Sequence, residues 1–136
     1  MPDLKELTRR QFFMSSAAGL SAGVAAVESR AWSSPRGAND TVRLGLIGCG
    51  PQGTGDLARC LKDPKAQAVA LCDVDESRLG QAGKRIGGKL DTYKDFRRVL
   101  DRNDIDAVIV ATPDHWHAIP ALQALSSGKD IYLEKP

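Results

Sequence analysis

The chain of 136 residues predicts an α/β fold: a doubly wound parallel sheet, incomplete at its C-terminal side. Three observations predict it. Apolar, β-branched runs alternate with segments whose apolar residues recur at helical spacing, which argues for parallel strands joined by right-handed crossovers. One such run leads straight into glycines spaced G-x-G-x-x-G. Another, IDAVIVA over 105–111, is continuously apolar, as a strand buried on both faces must be.

The glycine turn organises the rest. Residues 42–73 read VRLGLIGCGPQGTGDLARCLKDPKAQAVALCD. A strand over 42–47 carries Leu44 and Leu46 at alternating positions and ends at Gly48. A helix follows, with Leu57 and Cys60 at helical spacing. A second strand over 68–72 places Val69 and Leu71 alternately and stops at Asp73. Strand, glycine turn, helix, strand and acid in this order make a Rossmann-type dinucleotide-binding unit. Gly48 lets the chain leave the strand sharply, Gly50 lets backbone approach a diphosphate, and Gly53 lets the helix lie against the strand. With Cys49, Pro51 and Gln52 they form the predicted cofactor turn, and the helix N-terminus offers its N–H groups to the phosphates. Asp73 is placed to accept hydrogen bonds from ribose hydroxyls and to repel a 2′-phosphate, so NAD is favoured over NADP.

Composition removes several classes. A net charge of +2 gives no basic field for nucleic acid, and no basic–aromatic stripe appears. No apolar run is long enough to span a bilayer. Cys49, Cys60 and Cys72 form no C-x-x-C pair and no zinc spacing; Cys60 and Cys72 read as small buried apolar residues, and a redox role for Cys49 is the minor alternative.

Residues 1–31 differ in character. Thr8-Arg9-Arg10-Gln11-Phe12-Phe13-Met14 precedes the weakly apolar run SSAAGLSAGVAAV, which resembles a twin-arginine export signal with a small-x-small cleavage site at Ser29-Arg30-Ala31. The translocase of that pathway is thus an expected partner, and the periplasm or exterior the expected location. Twin-arginine substrates fold before export, which suits a protein that must load a cytoplasmic nucleotide. Residues 32–40, rich in Ser, Pro, Gly and Asn, read as a linker, and the folded domain is expected over 41–136.

Within that domain, Asp73 or Asp75 caps a helix running to about Ile86, which Gly87-Gly88 stops. KLDTY (89–93) gives a brief edge strand, and 94–102 a short helix with Phe96, Val99 and Leu100 at helical spacing. The strand over 105–111 runs into Thr112-Pro113-Asp114-His115-Trp116-His117, read as a loop. A helix over 118–127 ends at Gly128, and a strand over 131–133 leads to Glu134-Lys135-Pro136. The glycine turn, Asp73, the 112–117 loop and Glu134-Lys135 all follow strands, so they converge on the carboxyl edge of the sheet. His115 and His117 with Asp114 lack a further ligand cluster, so no metal is expected. For His115 the expected role is structural, bonded to backbone.

Together GCGPQG (48–53), ATPDHWH (111–117) and EKP (134–136) resemble the N-terminal half of the Gfo/Idh/MocA oxidoreductases over 42–136. The resemblance implies that Lys135 is the active-site lysine, binding the reacting hydroxyl of a sugar or polyol and favouring its loss of a proton. It implies that Thr112, Pro113, Trp116 and His117 line the nicotinamide half of the cofactor, that Glu134 lies near it, and that a cis bond before Pro136 aims Lys135. Members of the family continue into an α/β domain carrying the substrate pocket and the oligomer interface, so the chain reads as a fragment that binds NAD weakly and turns over nothing alone. Two other functions remain open at this level: an NAD-dependent glycoside hydrolase, and a non-catalytic nucleotide-binding module.

Overall fold

A computed structural model of the protein describes residues 41–135. The expected export signal over 1–31, the expected linker over 32–40 and Pro136 lie outside them. Five strands form one sheet: β1 (Val42–Ile47), β2 (Ala66–Cys72), β3 (Asp91–Tyr93), β4 (Ala107–Val110) and β5 (Asp130–Leu133), in the order β3-β2-β1-β4-β5. Every pair is parallel, with Ile47 opposite Cys72 on one side and Val110 on the other. Four helices cross between them: α1 (Pro51–Cys60), α2 (Glu76–Ile86), α3 (Phe96–Leu100) and α4 (Asp114–Ser126).

The strand period of two sorts the side chains onto two faces. Leu44, Leu46, Leu71 and Ile109 pack with Leu57 of α1 and Leu79 and Ala82 of α2. Ile47, Ala70, Val108 and Val110 pack on the opposite face with Val99 and Leu100 of α3 and Ala124 of α4. One helix pair therefore covers each face, which is the doubly wound arrangement. Gly45 is small for a packing reason: a Cβ there would approach Val99 Cγ1 to 2.8 Å.

The caps set the helix ends. Asp75, rather than Asp73, caps α2 by accepting from Ser77 N–H, and Gly87 at φ 71° ends it. Asp95 accepts from Arg97 N–H at 3.0 Å, so α3 starts at Phe96 and is shorter than the 94–102 expected. The largest difference is α4. It begins at Asp114, not at Ala118, and so converts most of the predicted 112–117 loop into a first helical turn. Proline is ordinarily tolerated only in a first turn, which would make Pro120 a poor interior residue. Yet it sits inside the helix, fully buried, where the packing surface it presents offsets the missing backbone bond. The opposite, amino edge of the sheet is tied by Lys129, buried with its Nζ donating to the carbonyls of Arg102 (2.5 Å) and Ile105 (3.1 Å).

Candidate functional site: a cofactor cleft at the carboxyl edge

The strand order reverses between β1 and β4: the chain moves outward through β2 and β3, then returns past β1 to β4 and β5. The first connection of each direction thus leaves the carboxyl ends of β1 and β4 side by side and opens a crevice. A cleft of about 430 Å³ lies there.

Its floor is the glycine turn. Gly48 has φ 98°, donates its N–H to the carbonyl of Cys72 (2.8 Å), and passes so close to β4 that a Cβ would stand 2.5 Å from the Ala111 carbonyl oxygen. At Gly53 a Cβ would run into the Gly48 carbonyl and approach Ala111 Cβ to 2.8 Å, so this glycine sets the distance from α1 to the strands. Gly50 is the N-cap of α1 and lends no side chain to the cap; Pro51, next, has no N–H to lose. The following backbone N–H groups and the positive end of the helix dipole face outward to an anion.

Asp73 closes the other wall. Its Oδ2 accepts from Cys49 N–H at 2.8 Å and its Oδ1 from Asp75 N–H at 2.9 Å. An ionised carboxylate accepts about four hydrogen bonds, so roughly two remain for a ligand. The acid is thus bonded directly to the glycine bend, and the two line the same cleft. Cys49 is buried inside the turn, its Sγ directed at the Cys72 carbonyl (3.5 Å). Burial, with Asp73 nearby, pushes the thiols of both Cys49 and Cys72 up to about 12, which opposes redox chemistry there. The backbone of Cys49 is engaged as well, its N–H by Asp73 and its carbonyl by Thr54 Oγ1 at 3.2 Å, so this residue, expected to bind cofactor, braces the turn from within.

The β4–α4 corner supplies the third wall through Thr112, Pro113, His115 and Trp116. Burial separates the two histidines. His117 is the buried one: its Nδ1 lies 3.2 Å from both Thr112 Oγ1 and the Pro113 carbonyl, an i to i−4 contact that helix α4 creates. His115 is exposed and lines the cleft. Because residues 115 and 117 are 200° apart on a helix, only one can face the sheet. Among the described residues no group of three or more His, Cys, Asp or Glu side chains converges as a metal site.

Glu134 and Lys135 stand beside α1 rather than in the lining of the cleft. Gln52 links them to the glycine turn: its Nε2 donates to Glu134 Oε1 at 3.1 Å, and Glu134 Oε2 accepts from Lys135 N–H at 3.1 Å. Gln52 also contacts both carboxylate oxygens of Asp56, a buried acid paired with Arg59. Sequence reasoning missed this brace, which joins residues 82 positions apart, and missed Arg78, which reaches into the cleft from α2. A carboxylate at the end of β2, a glycine turn that puts no side chain over the cleft and an uncapped helix N-terminus fit the adenosine diphosphate half of a dinucleotide.

Known proteins agree with this geometry. The chain is 36% identical over 107 residues to a glycosyl hydrolase family 109 protein of Saccharopolyspora erythraea, covering 73% of this chain and 23% of that one. It superposes with a TM-score of 0.66 on myo-inositol dehydrogenase from Lactobacillus casei in complex with NAD(H) and myo-inositol, at 32% identity over 71% of this chain and 29% of that one. KijD10, a 3-ketoreductase from Actinomadura kijaniata in complex with NADP and TDP-benzene, gives 0.64 at 30% identity over 71% and 30%. The chain thus spans about a quarter of the length of the proteins it matches. Residues 42–136 match the profile of the Gfo/Idh/MocA oxidoreductases, NAD-binding Rossmann fold, and the chain belongs to that family.

Proposed function

We propose that this chain is the cofactor-binding part of an exported oxidoreductase that uses NAD in preference to NADP and acts on a sugar or polyol hydroxyl. The observation that carries the reading is Asp73, braced by Cys49 N–H on the glycine turn and facing the crevice at the β1/β4 switch. Bound NAD would supply the hydride-accepting nicotinamide. The 48–53 turn would hold its diphosphate, Asp73 its adenosine ribose, and Thr112, Pro113 and Trp116 would lie along the remainder. His117, buried behind that corner, would position Thr112 instead of touching the cofactor. Glu134, held by Gln52, would fix the backbone of Lys135, whose ammonium would bind the substrate hydroxyl and take part in its loss of a proton.

In a titration followed by NADH fluorescence, the chain is expected to bind NADH at least about tenfold more tightly than NADPH, the scale of one unfavourable charge contact. Equal affinities would sink the preference assigned to Asp73. A second reading, a glycoside hydrolase that oxidises and re-reduces the same sugar, is favoured by the name of the Saccharopolyspora relative. Assay of the full-length protein separates the two: a dehydrogenase releases NADH in proportion to product, whereas the hydrolase frees an aglycone with no net NADH. Oligomerisation is proposed only for a form carrying a substrate domain.

Export rests on Arg9 and Arg10 with the weakly apolar run that follows. Replacing both arginines with lysine is expected to retain the protein in the cytoplasm on cell fractionation, with folding unchanged. Normal export of that variant would refute the signal.

A further inference from the structure

Three cations line the cleft: Arg78, Lys94 and Arg97. Two are engaged at short range. Lys94 Nζ is 2.5 Å from Glu76 Oε1, and Arg97 Nη1 is 3.1 Å from Asp95 Oδ1. Arg78 differs. Its ion-pair partner is Asp75, at 3.7 Å from Nε to Oδ2, beyond hydrogen-bond length, and Asp75 already spends Oδ1 on the cap of α2. The guanidinium therefore keeps donors that no short contact occupies.

Its position matters more than its availability. A Cβ built on Gly50 would lie 3.9 Å from Arg78 Nη1, and beyond Gly50's immediate neighbours no other heavy atom comes within 4 Å. The guanidinium is thus what faces Gly50 across the crevice. Gly50 is where the backbone opens toward a ligand, at the uncapped N-terminus of α1, whose first turn contains no acid. An anion seated there would have helix N–H groups on one side and a planar, permanently charged fork of donors on the other.

We propose that Arg78 is a cofactor-binding residue that closes over the diphosphate, and that it contributes affinity by charge, not by stacking on the base. This rests on the NAD reading above. The arginine is carried on the first turn of α2, so the cap at Asp75 sets its reach. It complements Asp73: the carboxylate selects the sugar and the guanidinium holds the phosphates beside it.

The test is a titration of the wild-type chain, Arg78→Ala and Arg78→Lys with NADH, with ADP-ribose and adenosine as competitors. Arg78 is solvent-exposed on a helix, and circular dichroism checks that the fold is intact. Arg78→Ala is expected to weaken NADH and ADP-ribose about tenfold or more, the scale of a charge-assisted hydrogen bond, and to leave adenosine unchanged. Arg78→Lys should recover part of the loss, and the salt dependence of NADH binding should flatten in Arg78→Ala. Unchanged NADH affinity in Arg78→Ala, or an equal loss for adenosine, would overturn the inference while leaving the NAD reading in place. A wild-type chain that binds no NADH would overturn that reading and this inference with it.

Discussion

Replacing Gly48 with alanine is expected to abolish NADH binding and to destabilise the domain by about 3 kcal/mol or more, combining an unfavourable backbone conformation with overpacking. The residue has φ 98°, which an L side chain rarely adopts. The added methyl would meet backbone: 2.5 Å from the Ala111 carbonyl oxygen, 2.6 Å from its carbon and 2.9 Å from Thr112 N. Neither side can yield cheaply. Ala111 N–H is bonded to the Ile47 carbonyl at 2.9 Å and Gly48 N–H to the Cys72 carbonyl at 2.8 Å, so relief would unzip the sheet at the mouth of the cleft. Gly80, in the middle of α2 with nothing within 4 Å of its Cβ position, is the control. Gly80→Ala should raise stability by about 0.5–1 kcal/mol through helix propensity alone. Urea denaturation of the two variants reads the difference directly. Similar stabilities for Gly48→Ala and the wild type would mean the turn is not held as described.

These two glycines also show what the sequence can disclose. Gly48 sits between a strand pattern and a helix pattern, and each flank is periodic, so its role as a turn follows from local chemistry. The same holds for Asp75 and Gly87, whose capping partners lie within a few residues of them. The three central strands β1, β2 and β4 were legible because an alternating or continuously apolar run is written along each, whereas the edge strands β3 and β5 are short and largely exposed and were placed by the elements around them. What was not legible depends on distance. The brace from Gln52 to Glu134 joins the first helix to the end of the last strand, and no spacing rule connects them. Arg78 reads as a surface helix residue until β1 and β2 are laid side by side. The 112–117 corner failed differently. Its two histidines are symmetric in sequence, and only the start of α4 at Asp114 decides that His117 turns inward.

Asp73→Asn is expected to lower NADH affinity by about tenfold or more while leaving NADPH affinity unchanged or improved, because charge-assisted bonds to two ribose hydroxyls are lost together with the repulsion of a 2′-phosphate. The variant keeps the side chain's shape, so this separates two tasks the carboxylate performs at once. In the folded domain it accepts the N–H groups of Cys49 and Asp75. An asparagine has one carbonyl oxygen, and its amide nitrogen would face one of those donors. Asp75 is exposed and water can replace the lost bond there, whereas Cys49 is buried and its stranded N–H would cost about 1–3 kcal/mol. The side chain should therefore turn its oxygen to Cys49 and give up Asp75, at modest cost to stability measured without ligand. Cofactor selectivity must then change by more than stability does. If both nucleotides lose affinity by the same factor, Asp73 only braces the glycine turn, and the discrimination between NAD and NADP must come from another group at that end of the cleft, with Arg78 the first to examine.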